Sequence, residues 1–378
     1  MSGTTHIAAT IEDAVMRRLV HVLRARGWRP RTIAHTGYGS PTMLRVLGRV
    51  VMTRRPLPTS DAEADTPTTP GRGWRPYLTA PVGMIPATVT INGVTHHTRA
   101  DRGGYIDLEV PDHGLAPGWH QVTIRARASA PVPARIRIVG PDQALGLISD
   151  IDDTVMVTYV PRPLIAVWNT FLRHSSARRP VPGMADFYRR LTRRHPDLPV
   201  FYLSTGAWNA VPAITEFLHA AGFPPGPKLM TDWGPTNTGW FRSGREHKRR
   251  ALRRLHRDFP HIRWVLVGDD GQHDPVIYRE FADECPGAVA AIAIRELSPS
   301  EQVLSHGTPG PGPGGEDDDA TRPVPEVRGA DGWLLGSRAM AMLTGAAAAG
   351  PHASEGTPDR EAAPGGQPTA TPKANPRA

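Results

Sequence analysis

Cysteine is nearly absent. Cys285 is the only one in 378 residues, which excludes an intrachain disulfide and any zinc site built on paired thiolates. Aromatic residues make up only 6 % of the chain, so aliphatic side chains must supply most of any core. No run of about twenty apolar residues occurs, and no basic start is followed by an unbroken apolar stretch. These absences predict no membrane-spanning helix and no secretory leader. The expected setting is cytoplasmic, with peripheral contact at the inner face of a membrane as an option.

Glycine (38) and proline (40) are plentiful and point to loops and unstructured stretches. The net charge is +8. Its distribution is uneven, since 38 basic and 26 acidic residues precede Glu301 while six basic and ten acidic residues follow from there. A basic surplus of this size suits an anionic partner such as a phosphate ester or an anionic membrane surface. A general preference for arginine would produce the same count. The basic residues are scattered over several segments without a recognised module, so no nucleic acid is expected. Oligomeric state is not readable.

Four regions follow from the patterning. Residues 1–30 hold an amphipathic helix, in which Ile7, Ile11, Val15, Leu19, Val22 and Leu23 recur at helical spacing. Residues 31–140 read as a small antiparallel β-sandwich. There Ala87–Ile91 alternates, Asn92-Gly93 is a two-residue hairpin turn, and Ile106, Leu108, Val110, Val122, Ile124, Ile136 and Ile138 continue the alternation. His96-His97 falls in this region and reads as an exposed strand pair. Residues 141–300 alternate apolar strands with helical segments, which predicts an α/β fold with a doubly wound parallel sheet. Residues 301–378 read as a disordered Gly/Pro/Ala-rich tail, with a short helix possible between Gly332 and Gly350.

Chemistry gathers where the predicted strands of 141–300 end. Leu145–Ile148 runs into Asp150-Ile151-Asp152-Asp153-Thr154. Two carboxylates one residue apart leave an extended chain on the same side, and burying them is costly unless something neutralises them. Val200–Leu203 ends in Ser204-Thr205-Gly206, a hydroxyl and backbone N–H set able to hold a phosphoryl oxygen. Lys248 shares a helical stripe with Leu252, Leu255 and Phe259, all within roughly 60° of arc. A lysine on a buried stripe needs anions to meet it. Trp264–Gly268 ends in Asp269-Asp270, with Asp274 following. Together with Asp150, Asp269 and Asp274 could hold Mg²⁺.

In this order the motifs resemble those of the haloacid dehalogenase superfamily. Ile148–Thr154, Tyr202–Asn209, His247-Lys248 and Gly268–Tyr278 further resemble the catalytic domain of the actin-patch type phosphatidate phosphatases. The resemblance implies Mg²⁺-dependent phosphatidate hydrolysis. Asp150 would be the nucleophile and Asp152 the acid/base, with its backbone carbonyl facing the metal. Ser204, Thr205 and Lys248 would hold the phosphoryl group, and Asp150, Asp152, Asp269 and Asp274 would form the metal set. Asp270 departs from the small residue expected beside Asp269. A soluble phosphomonoester phosphatase and a non-catalytic membrane or polyanion adaptor are the alternatives. The apolar segment Pro163–Leu172, carrying Trp168 and Phe171 and flanked by arginines, is a candidate lipid contact.

Overall fold

The computed structural model describes residue 18 and residues 20–54, 80–157, 179–231, 242–271, 273–306 and 324–348. Most of the helix expected over 6–26, the candidate lipid contact Pro163–Leu172 and the last thirty residues lie outside these ranges; residues 20–25 are helical.

The first half of the chain builds one curled sheet. Strand β1 (Arg29–Ser40) pairs antiparallel with β2 (Met43–Thr53), the register shifting between His35 and Tyr38. The strands β3 (Ala80–Pro81), β4 (Pro86–Ile91), β5 (Val94–Arg99), β6 (Tyr105–Pro111), β7 (Gly118–Ala126) and β8 (Val132–Ile138) complete it. The spatial order is β3-β2-β1-β8-β7-β4-β5, with β6 also on β2. Asn92-Gly93 forms the β4–β5 hairpin turn, both residues at positive φ. His97 lies exposed on β5.

Two features differ from the expected antiparallel sandwich. The strands form one hydrogen-bonded sheet, and β1 runs parallel to β8. The reason is physical: alternation reports which side of a strand is buried, not how many sheets share that side. Val46, Val50, Val89, Ile91, Ile106, Ile124 and Ile136 all converge on one core.

The second half is a six-stranded sheet whose neighbouring strands are all parallel. Its strands are β9 (Leu145–Ser149), β12 (Val200–Ala207), β13 (Lys228–Thr231), β14 (Arg263–Asp269), β15 (Val289–Arg295) and β16 (Glu326–Gly329), in the order β13-β12-β9-β14-β15-β16. A two-stranded ribbon, β10 (Met156–Val157) and β11 (Arg179–Pro180), sits beyond β9. Helices α1 (Met184–Arg194), α2 (Val211–Ala220), α3 (Arg242–Asp258), α4 (Asp274–Glu284), α5 (Pro299–His306) and α6 (Gly332–Ala348) follow in chain order. Among the described residues, no helix is long and apolar enough to cross a membrane.

Both faces of the parallel sheet are covered. Alternate residues of one strand point to opposite faces, and the central strands are accordingly apolar on both sides. Leu147, Val265 and Val267 pack with Phe187 and Leu191 of α1, Ile214 of α2 and Leu335 of α6. Ile148, Phe201 and Leu266 pack with Leu252 and Leu255 of α3 and Ile277 of α4. Each fully buried Leu or Phe contributes about 1.5–3 kcal/mol.

The expected disordered tail requires a correction. Residues 326–329 add strand β16 to β15, and α6 packs its Leu335 and Ala339 into the core beside α1. The segment is rich in glycine and alanine, so its apolar contrast is too weak to read as a buried element. Only a few side chains anchor it, and Arg279 fixes β16 through paired 2.7 Å bonds to Glu326.

The two halves share a core. Tyr38, Leu47 and Val139 of the first half pack with Phe201, Phe259 and Trp264 of the second. The Tyr38 hydroxyl donates to Asp258 at the end of α3 (3.2 Å), and Arg137 donates to Asp197 (2.8 Å).

Candidate active site

Asp150, Ser204 and Asp269 stand at or near the carboxyl ends of the neighbouring strands β9, β12 and β14. Parallel pairing brings these ends side by side: Ser149 lies opposite both Tyr202 and Val267. The Asp150 N–H continues the ladder by donating to the Val267 carbonyl at 2.8 Å. After Asp150 the chain reverses sharply. Asp153 adopts a positive φ of 57°, which aspartate tolerates better than most residues. The N–H groups of Val155 and Met156 both donate to the Ile151 carbonyl.

Lys248 occupies the position its helical stripe predicts. It is buried on α3 with Leu252, Leu255 and Phe259, while Arg250, Arg253 and Arg257 face solvent. Its Nζ lies 2.9 Å from Asp150 Oδ1 and 2.6 Å from Asp274 Oδ1. Burial works against the lysine charge, but the two carboxylates outweigh it and raise its pKa. Asp150 is the reverse case. Burial pushes it up, Lys248 draws it down, and Asp274 and Asp152 push it up again, leaving it at about 8. Burial also raises Asp269 well above the usual carboxylate range, with Asp274 and Asp150 adding to the effect.

Asp150, Asp269 and Asp274 each offer a carboxylate oxygen within 4.8 Å of the others. Asp150 Oδ2 and Asp274 Oδ2 are buried without a hydrogen-bond partner among the described atoms. One lysine cannot balance three buried carboxylates, and an all-oxygen donor set suits a hard divalent cation. The residues therefore fit such an ion. Gly268 makes the approach possible, because a Cβ there would lie 2.5 Å from Asp274 Oδ2.

The remaining candidates divide. Ser204 joins the site: its Oγ donates to Asp152 Oδ2 at 3.0 Å and accepts from the Gly206 N–H at 2.9 Å. The Asp152 side chain is thus directed to Ser204 and lies outside the three-aspartate cluster. Thr205 is half-buried and faces α3 near Gly244. Asp270 turns away, its Oδ1 accepting the Leu297 N–H at 2.9 Å. This explains how a second carboxylate is accommodated next to Asp269.

The structure gives contacts to five further residues, of which Ser149, Thr154 and Trp208 stand in the sequence motifs and Tyr188 and Arg295 do not. Thr154 donates to Asp269 Oδ2 at 3.3 Å. Ser149 donates to the Asp150 carbonyl and meets the Tyr188 hydroxyl, both at 2.6 Å. Since Ser149 has spent its only proton on that carbonyl, Tyr188 is the donor of the second bond. Arg295 is buried and donates to the Asp153 carbonyl at 2.6 Å, while its other nitrogen pairs with Glu301 at 2.7 Å. A lone arginine closing the apolar run Val289–Ile294 was the available signal for it. Trp208, directly after β12, stacks on His35 of β1 at 4.6 Å and on Tyr105 of β6 at 6.0 Å.

Comparison with known proteins gives matches over the part of the chain that carries these residues. Residues 145–296 match the family model described as phosphatidate phosphatase APP1, catalytic domain. Phosphatidate phosphatase APP1 of Saccharomyces cerevisiae is 30 % identical over 164 residues, covering 43 % of this chain and 28 % of that protein. An uncharacterized protein of Schizosaccharomyces pombe, C29B5.04c, is 27 % identical over 154 residues, covering 40 % and 25 %. The chain thus spans about a quarter of the length of these curated relatives. Among solved structures, the HAD domain of the Legionella pneumophila effector Lem4 aligns over 41 % of this chain and 86 % of that one. Its identity is 14 % and its TM-score 0.28, a distant likeness on which nothing further rests. Every residue of the carboxylate–lysine cluster falls inside the segment that matches this catalytic-domain model.

Proposed function

We propose that this protein is a Mg²⁺-dependent phosphatase that hydrolyses phosphatidate to diacylglycerol and phosphate. The observation that carries the reading is the Lys248 ammonium set between Asp150 and Asp274, with Asp269 completing the acidic cluster, inside the segment matched to the APP1 catalytic domain. Helices on both faces of a parallel sheet, with the acids at its carboxyl edge, support a doubly wound arrangement of the haloacid dehalogenase type.

The chemistry follows from the positions. Asp150 attacks phosphorus through a carboxylate oxygen, the bond from phosphorus to the glyceryl oxygen breaks, and an aspartyl-phosphate forms. Asp152 gives its proton to the departing alkoxide. It then takes a proton from the water that attacks the aspartyl-phosphate, which restores Asp150 and releases phosphate. Ser204 holds Asp152 in place and, with substrate bound, turns the same hydroxyl proton to a phosphoryl oxygen. Lys248 offsets negative charge around the nucleophile. Mg²⁺ held by Asp150, Asp269 and Asp274, with the Asp152 carbonyl facing it, would neutralise charge on the phosphoryl group. The basic surplus before Glu301 supports an acidic membrane surface as the place of action, and we assign that surface to the cytoplasmic side.

A phosphate-release assay tests the reading with phosphatidate, lysophosphatidate and soluble esters, each with and without Mg²⁺. Mg²⁺-dependent release from phosphatidate, lost in Asp150→Asn, is the expected result. Turnover of soluble esters alone would replace the substrate assignment but keep the chemistry.

A further inference from the structure

Helix α6 starts where β16 ends, at the same carboxyl edge that carries the catalytic aspartates. Its first turn presents two large apolar side chains to solvent: Trp333 is 56 % exposed and Leu334 is 42 % exposed. Both lie beyond the segment matched to the catalytic domain. Val276, in the first turn of α4 two residues after Asp274, is 52 % exposed and begins at that edge too. Adjacent apolar side chains of the size of Trp333 and Leu334 seldom face solvent without a partner surface.

The exposed turn is held in place. Gly183 has a φ of 75°, and a Cβ on it would lie 2.5 Å from the Trp333 nitrogen and 2.7 Å from the base of its ring. A Cβ on Gly332 would meet the backbone of Gly183 and Met184 at 2.1–2.4 Å. Two glycines therefore let the backbones touch and seat the tryptophan. Its indole lies near enough to Asp186 to help hold that carboxyl below its ordinary pKa, after Arg189. Backbone bonds tie this turn to the catalytic loop. Gly332 N–H donates to the Pro182 carbonyl at 2.8 Å, Val181 N–H donates to the Val155 carbonyl at 3.0 Å, and Met156 forms a bridge with Asp152.

We propose that the Trp333–Leu334 turn is the surface by which the protein docks on a phosphatidate-containing bilayer. The assignment rests on the proposed lipid substrate and adds the place of contact. A tryptophan, with a polar N–H and an apolar body, suits the boundary between headgroups and acyl chains. Exposed Arg179 on β11 and exposed Arg190, whose guanidinium lies beside Gly336 of α6, supply positive charge for anionic headgroups. A bilayer meeting this edge presents its phosphates to the mouth of the Asp150 site.

The test compares the full chain with the Trp333→Ala/Leu334→Ala variant. Co-sedimentation with phosphatidylcholine vesicles carrying phosphatidate should weaken about tenfold, the scale set by two large apolar side chains. Turnover of a soluble aryl phosphate should stay within about twofold, since neither side chain reaches the acids. The Trp333→Phe/Leu334→Met variant should recover most of the binding. Unchanged sedimentation of the alanine variant overturns the proposal, and so does an equal loss on vesicles and aryl phosphate. Failure of the substrate reading looks different: wild type would then bind vesicles yet release no phosphate from phosphatidate dispersed in detergent, while the variant comparison would still decide the docking surface.

Discussion

Lys248 Nζ lies between Asp150 Oδ1 and Asp274 Oδ1, at 2.9 and 2.6 Å. All three groups are almost wholly buried, so none can draw on solvent for compensation. Lys248→Ala should lower stability by about 3–5 kcal/mol in chelator, because it leaves buried carboxylates unpaired. Added Mg²⁺ should recover part of this loss by occupying the same acids. Thermal unfolding with EDTA and with Mg²⁺ measures both, and an equal deficit in the two conditions would contradict the cation site.

Asp150 gives a pH prediction with a definite sign. Its folded pKa is raised from 3.8 to about 8, so between those values the folded form holds a proton that the unfolded chain has released. Its contribution is most favourable below the unfolded pKa, falls as pH rises through this window, and levels off above about pH 8. Asp150→Asn lacks the penalty. In metal-free buffer the variant should therefore gain stability relative to wild type from pH 4 to 8. Denaturant unfolding at several pH values provides the comparison, and a constant difference would contradict it.

Trp208 tests whether the first half of the chain supports the chemistry. It follows the Ser204–Ala207 strand end and stacks on His35 and Tyr105 from the other sheet. It also lines a cleft of about 180 Å³ between the halves, with His247 and Arg250. Trp208→Ala should cost about 2 kcal/mol, less than a fully buried aromatic because Trp208 is only half-buried. It should also lower kcat on a soluble ester more than it raises KM, while Trp208→Phe retains most of the activity. Steady-state kinetics on the three proteins decides this, and wild-type kcat in Trp208→Ala would refute the role.

Removing β16 and α6 should harm the whole catalytic half. A chain ending at residue 323 loses the Arg279–Glu326 pair, uncovers the edge of β15 and strips Leu335 and Ala339 from the core beside Phe187. An uncovered apolar edge strand promotes association. Size-exclusion chromatography and thermal unfolding should show aggregation and a lower Tm, whereas a monomer of wild-type Tm would show these elements to be dispensable.

Much of the site is legible in the residues because chemistry at strand ends leaves a strong local signature. Asp150 and Asp269 each close an apolar run, and the helical offsets of Lys248 turn it inward. Other parts are not written locally. Asp152 contributes its carboxylate to Ser204, a relationship that depends on the turn at Asp153. Nothing in the pattern around Asp270 says that its carboxylate is taken by the Leu297 N–H. The alternating strands of the first half announce themselves, yet their joining into one sheet depends on the parallel β1–β8 pairing, a contact between segments about a hundred residues apart. Strand β16 and the burial of helix α6 escape notice, although a short helix over Gly332–Gly350 is legible, because glycine and alanine carry little periodic contrast and the packing comes from α1 and β15.

The central place of β9 also shapes how the molecule assembles. Asp150 directly follows β9, whose pairing with β14 brings Thr154 to Asp269 across 115 residues of sequence. Parallel pairings of such long range form late, after their loop-closure entropy has been met. Until then the repelling carboxylates stay apart and hydrated. The acidic centre thus closes only when β14 docks beside β9 and α3 brings the lysine that makes the buried carboxylates tolerable.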